Sequence, residues 1–275
     1  MSNIIKAILI GIVEGITEWL PVSSTGHMIL LDEFIQLDVT AAFRELFLVV
    51  IQLGAVLSVA ANYFRRLFPF FPGQSRAERR EVWSLWSKIL VSSIPAGVIG
   101  VLFDDKIDEI FFNWQTVAGA LILYGIIFIA IERRKPTHGK HAKTLNSPIE
   151  FSYQTALFIG FFQLLALIPG TSRSGATIIG AILLGASRSA AAEYTFFLAL
   201  PAMLGAGLIK LLKFGFSFTS SEALILAVGC VTAFIVSLAA IRFLVGFVKK
   251  HDFAGFGIYR IALGAAVIGY FALAR

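Results

Sequence analysis

Charge is scarce in this chain: Asp, Glu, Lys and Arg make up 15% of its 275 residues, where a soluble domain carries about 25%. With 57% hydrophobic residues and 26 Phe along the whole length, the polar surface is too small to cover such a core in water. Lipid must be the main solvent. Cysteine is almost missing: Cys230 stands alone, which excludes a disulfide scaffold and leaves it a core residue with no metal-ligand cluster beside it. Low-complexity tracts are absent too, which excludes a disordered chain. An integral membrane protein remains.

The charges that are present lie in blocks between apolar runs. Lys and Arg exceed Asp and Glu by a net +6, a surplus that by itself suggests nucleic acid or anionic lipid. It is concentrated in two segments: residues 65–88 carry Arg65, Arg66, Arg76, Arg79, Arg80 and Lys88, and residues 132–150 carry Arg133, Arg134, Lys135, Lys140 and Lys143. Both are expected to be cytoplasmic loops under the positive-inside rule, and loop basicity then needs no nucleic-acid partner. Two acidic blocks, Asp32, Glu33, Asp38 and Glu45, then Asp104, Asp105, Asp108 and Glu109, are expected outside. The N-terminal run has little basic charge, no small-residue cleavage pattern, and Glu14 and Glu18 inside it, so it is expected to stay in the mature protein rather than act as a signal peptide.

A spanning helix needs about 20 apolar residues, which predicts about six spans near 43–64, 89–103, 115–131, 190–213, 223–246 and 256–274. Two other apolar stretches are cut by a polar turn, one at Pro21 in PVSSTGH and one at Pro169 in PGTSRSG. Proline removes a donor and clashes with the turn before it, while Gly and Ser favour a loop. Each stretch is therefore expected to be a re-entrant hairpin of two half-helices.

These two stretches resemble each other. Ala7, Gly11 and Glu14 match Ala156, Gly160 and Gln163 at an offset of 149, after which a one-residue slip sets Pro21 on Pro169, Ser23 on Thr171, Ser24 on Ser172 and Glu45 on Glu193. The expected architecture is a single all-α membrane domain over 1–275, built from a first repeat (1–135) and a second (150–275) of inverted topology. In such folds the broken helices meet near the pseudo-two-fold axis. Both chain ends are then external.

Glu14 and Glu18 share one helix face about 6 Å apart, an expensive arrangement in lipid that a cation or a proton would relieve. His27 follows within a hydroxyl-rich turn of Ser23, Ser24, Thr25 and Gly26, where a catalytic or relay role suits it. The second turn is complementary. Gly170 and Gly175 allow close backbone approach, Thr171, Ser172, Ser174 and Thr177 offer hydroxyls at a helix start that attracts anions, and Arg173 is a planar donor for phosphate. Gln52, Gln163, Ser92 and Ser93 are expected to join helices, and Glu193 and Arg260 to support the site.

The motifs VEGITEWLPVSSTGH and PGTSRSGAT closely resemble the undecaprenyl-diphosphate phosphatase family of bacteria, of the bacitracin-resistance type, over nearly the full chain. The resemblance implies hydrolysis of a polyprenyl diphosphate to the monophosphate, recycling the lipid carrier of cell-wall synthesis. It also implies a divalent cation, Mg or Ca, on Glu14 and Glu18, and a test set of Glu14, Glu18, Ser24, His27 and Arg173. The expected location is the bacterial plasma membrane, with the site opening externally and a homodimer as an admissible assembly. The phosphatidic-acid type of phosphatase fits worse, because Ile179 and Gly180 stand where its His-Asp element would follow Ser-Arg. For the nucleophile three assignments stand open: Ser24 activated by His27 with Glu18 orienting the imidazole, His27 itself, or water with His27 as base. The competing function is a polyprenyl-phosphate flippase or secondary transporter, which inverted repeats also serve.

Overall fold

In an apolar solvent every backbone N–H and C=O must be satisfied within its own segment, so the apolar runs fold as helices. The computed structural model describes residues 1–133, 144–215 and 217–273; Arg134, Lys135, Lys140 and Lys143 of the second basic block, the Asp104 side chain and Ala274 lie outside the described residues. The helices are α1 (Asn3–Thr17), α2 (Ser24–Phe34), α3 (Ala41–Asn62), α4 (Phe64–Leu67), α5 (Arg76–Phe111), α6 (Trp114–Arg133), α7 (Tyr153–Leu164), α8 (Arg173–Leu183), α9 (Arg188–Phe214), α10 (Ser220–Val248) and α11 (Ala254–Leu273). Among the described residues, α3, α5 over Arg76–Phe103, α6, α9, α10 and α11 are long and apolar enough to cross a membrane. The chain is an all-α, multi-pass membrane protein.

Five of these spans begin and end within three residues of the runs read from hydropathy. The exception is α5, which starts at Arg76 rather than near 89. Hydropathy locates the apolar portion of a helix, whereas capping sets where it begins. Here Ser75 Oγ accepts from Glu78 N at 3.2 Å and Glu78 Oε2 accepts from Ser75 N at 2.7 Å, a capping box that carries the helix start into the charged segment. Pro95 and Pro201 sit inside α5 and α9 without ending either.

The element order recurs. A pair of short helices broken by a turn (α1 and α2, later α7 and α8) is followed each time by long helices. Packing follows the same pairing: α6 lies along α11 and α3 along α9, while α1 packs on α10 and α7 on α5. Two glycines mark the closest helix approaches, one between α3 and α10 and one between α7 and α5. A Cβ on Gly54 would stand 2.2 Å from the Cys230 carbonyl oxygen, and one on Gly160 would stand 2.3 Å from that of Ser92. Ser92 completes the α5–α7 contact by donating to the Ala156 carbonyl at 2.6 Å and meeting Tyr194 Oη at 2.6 Å.

Ion pairs at the two ends of α9 show which helix ends lie together. At its start, Glu193 pairs with Arg66, which follows α3, and Arg188 Nη2 holds Glu132 at the end of α6 at 2.5 Å. Toward its other end, Lys210 pairs with Glu45 at the start of α3, and Lys213 lies 3.6 Å from Asp105 late in α5. Glu193 therefore belongs to a helix-end clamp and not to the support of the polar turns.

Candidate active site

Both polar turns are built by the same local device. Helix α1 stops at Thr17, and Glu18 still donates its N–H to the Glu14 carbonyl at 3.0 Å, so the two glutamates stay close although the helix has ended. Pro21 cannot continue the helix. The chain reverses at Ser23 with φ 73° and restarts as α2, the Ser23 hydroxyl accepting from Gly26 N at 3.3 Å. In the second turn Ser172 has φ 71° and its hydroxyl accepts from Gly175 N at 3.2 Å at the head of α8. A non-glycine residue in this left-handed region costs about 1–2 kcal/mol, and the cap returns part of it. The two strained serines correspond at an offset of 149, so at these caps the expected one-residue slip is not seen. Ser23 matches Ser172, Ser24 matches Arg173, and Gly26 matches Gly175.

The two turns meet. Arg173 Nη2 donates to Glu18 Oε1 at 3.2 Å, and Ser24 Oγ donates to Glu18 Oε2 at 2.8 Å. Arg173 Nη1 is held by the Thr195 carbonyl at 2.8 Å, and the guanidinium lies 6.0 Å from the Trp19 ring centroid. A buried ion pair is stabilised where further hydrogen bonds satisfy its remaining lone pairs and protons; here Ser24 and Thr195 supply two, and Arg173 Nε is left without a partner. Ser174 Oγ donates across to the Glu18 and Leu20 carbonyls at 3.2 and 3.3 Å, and Thr177 Oγ1 meets Thr195 Oγ1 at 2.8 Å.

A cavity of about 210 Å³ opens onto this cluster. Its polar wall is Glu18, Ser24, Thr25, Gly170, Ser172 and Arg173, and its apolar wall is Ala166, Ala202, Met203 and Ala206. Gln52 lines it as well, so this residue, expected as a bond between helices, faces the site. Of the other expected binding residues, Ser23, Thr171, Ser174, Gly175 and Thr177 stand behind the wall and shape the turns. Thr195 and Tyr259 were missed in the sequence because each reaches the turns from a long helix with no motif around it.

His27 is placed differently from the expected relay. Its Nδ1 is 2.7 Å from the Ser23 carbonyl and its Nε2 is 2.8 Å from Tyr259 Oη, with the two rings stacked. A carbonyl only accepts, so in the neutral ring Nδ1 carries the proton and Nε2 accepts from Tyr259. Neither nitrogen reaches Ser24, whose hydroxyl goes to Glu18, and Glu18 does not orient the imidazole.

Glu14 is 2% exposed and its Oε1 has no hydrogen-bond partner. Among the described residues there is no group of three or more His, Cys, Asp or Glu able to hold a metal by themselves. The donor set is thus two carboxylates, Glu14 with an oxygen to spare and Glu18 alongside. This fits a hard divalent cation that takes one or two carboxylates and completes its shell with phosphate and water oxygens.

The family model described as "Bacitracin resistance protein BacA" matches residues 7–266. "Undecaprenyl-diphosphatase 1" of Clostridium acetobutylicum is 58% identical over 98% of this chain and 97% of its own. "Undecaprenyl-diphosphatase" of Desulfitobacterium hafniense is 57% identical over the same shares, and that of Enterococcus faecalis 54% identical over 98% of both.

Proposed function

The chain belongs to the bacitracin resistance protein BacA family, and from that premise we infer how its cavity works. The protein is an undecaprenyl-diphosphatase, an integral membrane hydrolase that converts undecaprenyl diphosphate to undecaprenyl phosphate and inorganic phosphate. The observation that carries the mechanism is the Ser24 hydroxyl 2.8 Å from one Glu18 oxygen, with Arg173 on the other.

Ser24 Oγ attacks the terminal phosphorus in line and passes its proton to Glu18 Oε2. The bond from that phosphorus to the bridging oxygen breaks, and undecaprenyl phosphate leaves. Glu18 passes that proton to the departing phosphate oxygen and, ionised again, takes one from a water that attacks the phosphoserine; the phosphorus–Oγ bond breaks, Glu18 returns the proton to Ser24 Oγ and inorganic phosphate leaves. Arg173 and the head of α8 hold non-bridging oxygens as charge builds on them. Glu14 and Glu18 would hold the divalent cation, which supplies charge neutralisation to the diphosphate when bound. His27 binds the carbonyl of the strained Ser23 and so positions the turn that presents Ser24.

The two halves form an inverted repeat, a reading supported by the recurring element order, the matched serine caps and the crosswise packing of α1 on α10 and α7 on α5. The basic blocks face the cytoplasm of a bacterial plasma membrane and the cavity opens outward.

The test is phosphate release by purified protein in detergent with Mg or Ca, with and without chelator. Glu18→Gln and Arg173→Ala are expected to lose about 10²–10⁴-fold. Acid-quenched wild type given diphosphate labelled at its terminal phosphorus carries label on serine, and Ser24→Ala carries none. A Ser24→Ala variant with near-full activity would falsify the serine assignment, and wild type that releases no phosphate with metal present would favour a carrier.

A further inference from the structure

Among the described residues the mechanism leaves the buried cations Lys88 and Arg260 unused, and Arg260 lies at the two turns. Arg260 of α11 is fully buried, and its guanidinium bonds only backbone carbonyls among the described residues. Nη2 donates to the Gly170 and Thr171 carbonyls at 2.8 and 2.9 Å, and Nη1 to the Pro21 carbonyl at 3.3 Å. One face lies 5.7 Å from the centroid of the Tyr124 ring. The three carbonyls belong to the two turns. Pro21 precedes the strained Ser23 by two residues, and Thr171 immediately precedes the strained Ser172. A single planar group thus reaches both halves of the chain from a third element.

We propose that Arg260 is a positioning residue, a clasp that fixes the spacing of the two turns at which Ser24, Glu18 and Arg173 meet. A carbonyl at a helix break has lost its intrahelical donor, and in a dry interior it needs another. The guanidinium serves both turns at once because its two terminal nitrogens diverge from one rigid plane. An ammonium cannot reproduce this, since all its donors leave from a single nitrogen. Arg260 does not line the cavity, so its effect falls on the alignment of the reacting groups and not on substrate contact. That consequence for turnover rests on the phosphatase reading; the geometric role does not.

Two readouts test it. In a Cys230→Ala background, cysteines replacing Thr25 and Ala166, one beside each turn on the cavity wall, are bridged with a short bifunctional maleimide. Bridging is expected to be efficient with Arg260 and severalfold weaker in Arg260→Ala and Arg260→Lys. On the otherwise unmodified chain, Arg260→Lys and Arg260→Ala are expected to lower kcat by about tenfold and about a hundredfold, the scale of a misplaced reacting group. KM stays unchanged, and added guanidinium, but not ammonium, restores turnover to Arg260→Ala. Unchanged bridging in a folded variant overturns the clasp, as does a loss confined to KM, which would make Arg260 a substrate ligand. If Arg260→Ala does not fold, Arg260→Lys decides by the same measures, wild-type bridging and kcat counting against the proposal. Wild type that releases no phosphate, with bridging that still depends on Arg260, would remove the phosphatase reading and leave the clasp standing.

Discussion

At the residue scale the site is a set of hydrogen bonds whose donors and acceptors leave little freedom. Glu18 is spoken for on both oxygens, by Ser24 and by Arg173, while the neighbouring Glu14 retains an unpartnered oxygen. Two carboxylates of one motif are therefore placed differently, Glu18 hydrogen-bonded at both oxygens and Glu14 with one oxygen free. His27 is tied at both nitrogens, one of them to the carbonyl of the strained Ser23. Tyr259→Phe removes the donor to Nε2 and leaves the Nδ1 bond to the Ser23 carbonyl. Loss of one such hydrogen bond is worth about 0.5–1.5 kcal/mol. Phosphate release by Tyr259→Phe is expected to fall by at most about tenfold, far less than for Glu18→Gln, with the Nδ1–H tautomer of His27 retained in its nitrogen-15 spectrum. A loss in Tyr259→Phe as deep as that of Glu18→Gln, in a folded protein, would return His27 to the chemical step.

At the element scale, short helices that cannot cross a membrane alone gain their place from long ones. Helix α1 lies on α10 and α7 on α5, and the contacts close through glycine. Gly54 and Gly97 separate packing from propensity. A Cβ at Gly54 meets the Cys230 backbone, whereas one at Gly97 meets nothing within 4 Å. Gly54→Ala is expected to destabilise by about 1–3 kcal/mol through overpacking, and Gly97→Ala to be neutral or stabilising by up to about 1 kcal/mol through helix propensity. Thermal unfolding in detergent reads both, and equal melting temperatures for the two variants would contradict the close α3–α10 contact.

For the whole molecule, the two ends of α9 gather different charges, Arg188 and Glu193 with Glu132 and Arg66 at its start, Lys210 and Lys213 with Glu45 and Asp105 toward its other end. With the basic blocks inside, single cysteines at Arg80 and Asn146 are expected to resist a membrane-impermeant maleimide applied from outside, and those at Asp38 and Phe112 to react. The opposite labelling of any one pair would reverse the orientation of the bundle.

Much of this was determined by the sequence alone. Apolar run length sets the spans because the bilayer has one thickness, and proline with serine and glycine sets the breaks because backbone donors and torsions are local matters. The motif residues Glu14, Glu18, Ser24 and Arg173 were legible for the same reason, as polar groups standing where lipid makes them costly. What the tertiary structure decided is which of those groups touch. That the Ser24 hydroxyl hydrogen-bonds Glu18 and not His27, that Gln52 faces the cavity, and that Tyr259 and Arg260 reach the turns from the last helix all depend on side-chain directions across elements more than 200 residues apart in some pairs. Hydropathy and turn chemistry act over one or two helical turns and carry no information about such meetings, which only the packing of the whole bundle brings about.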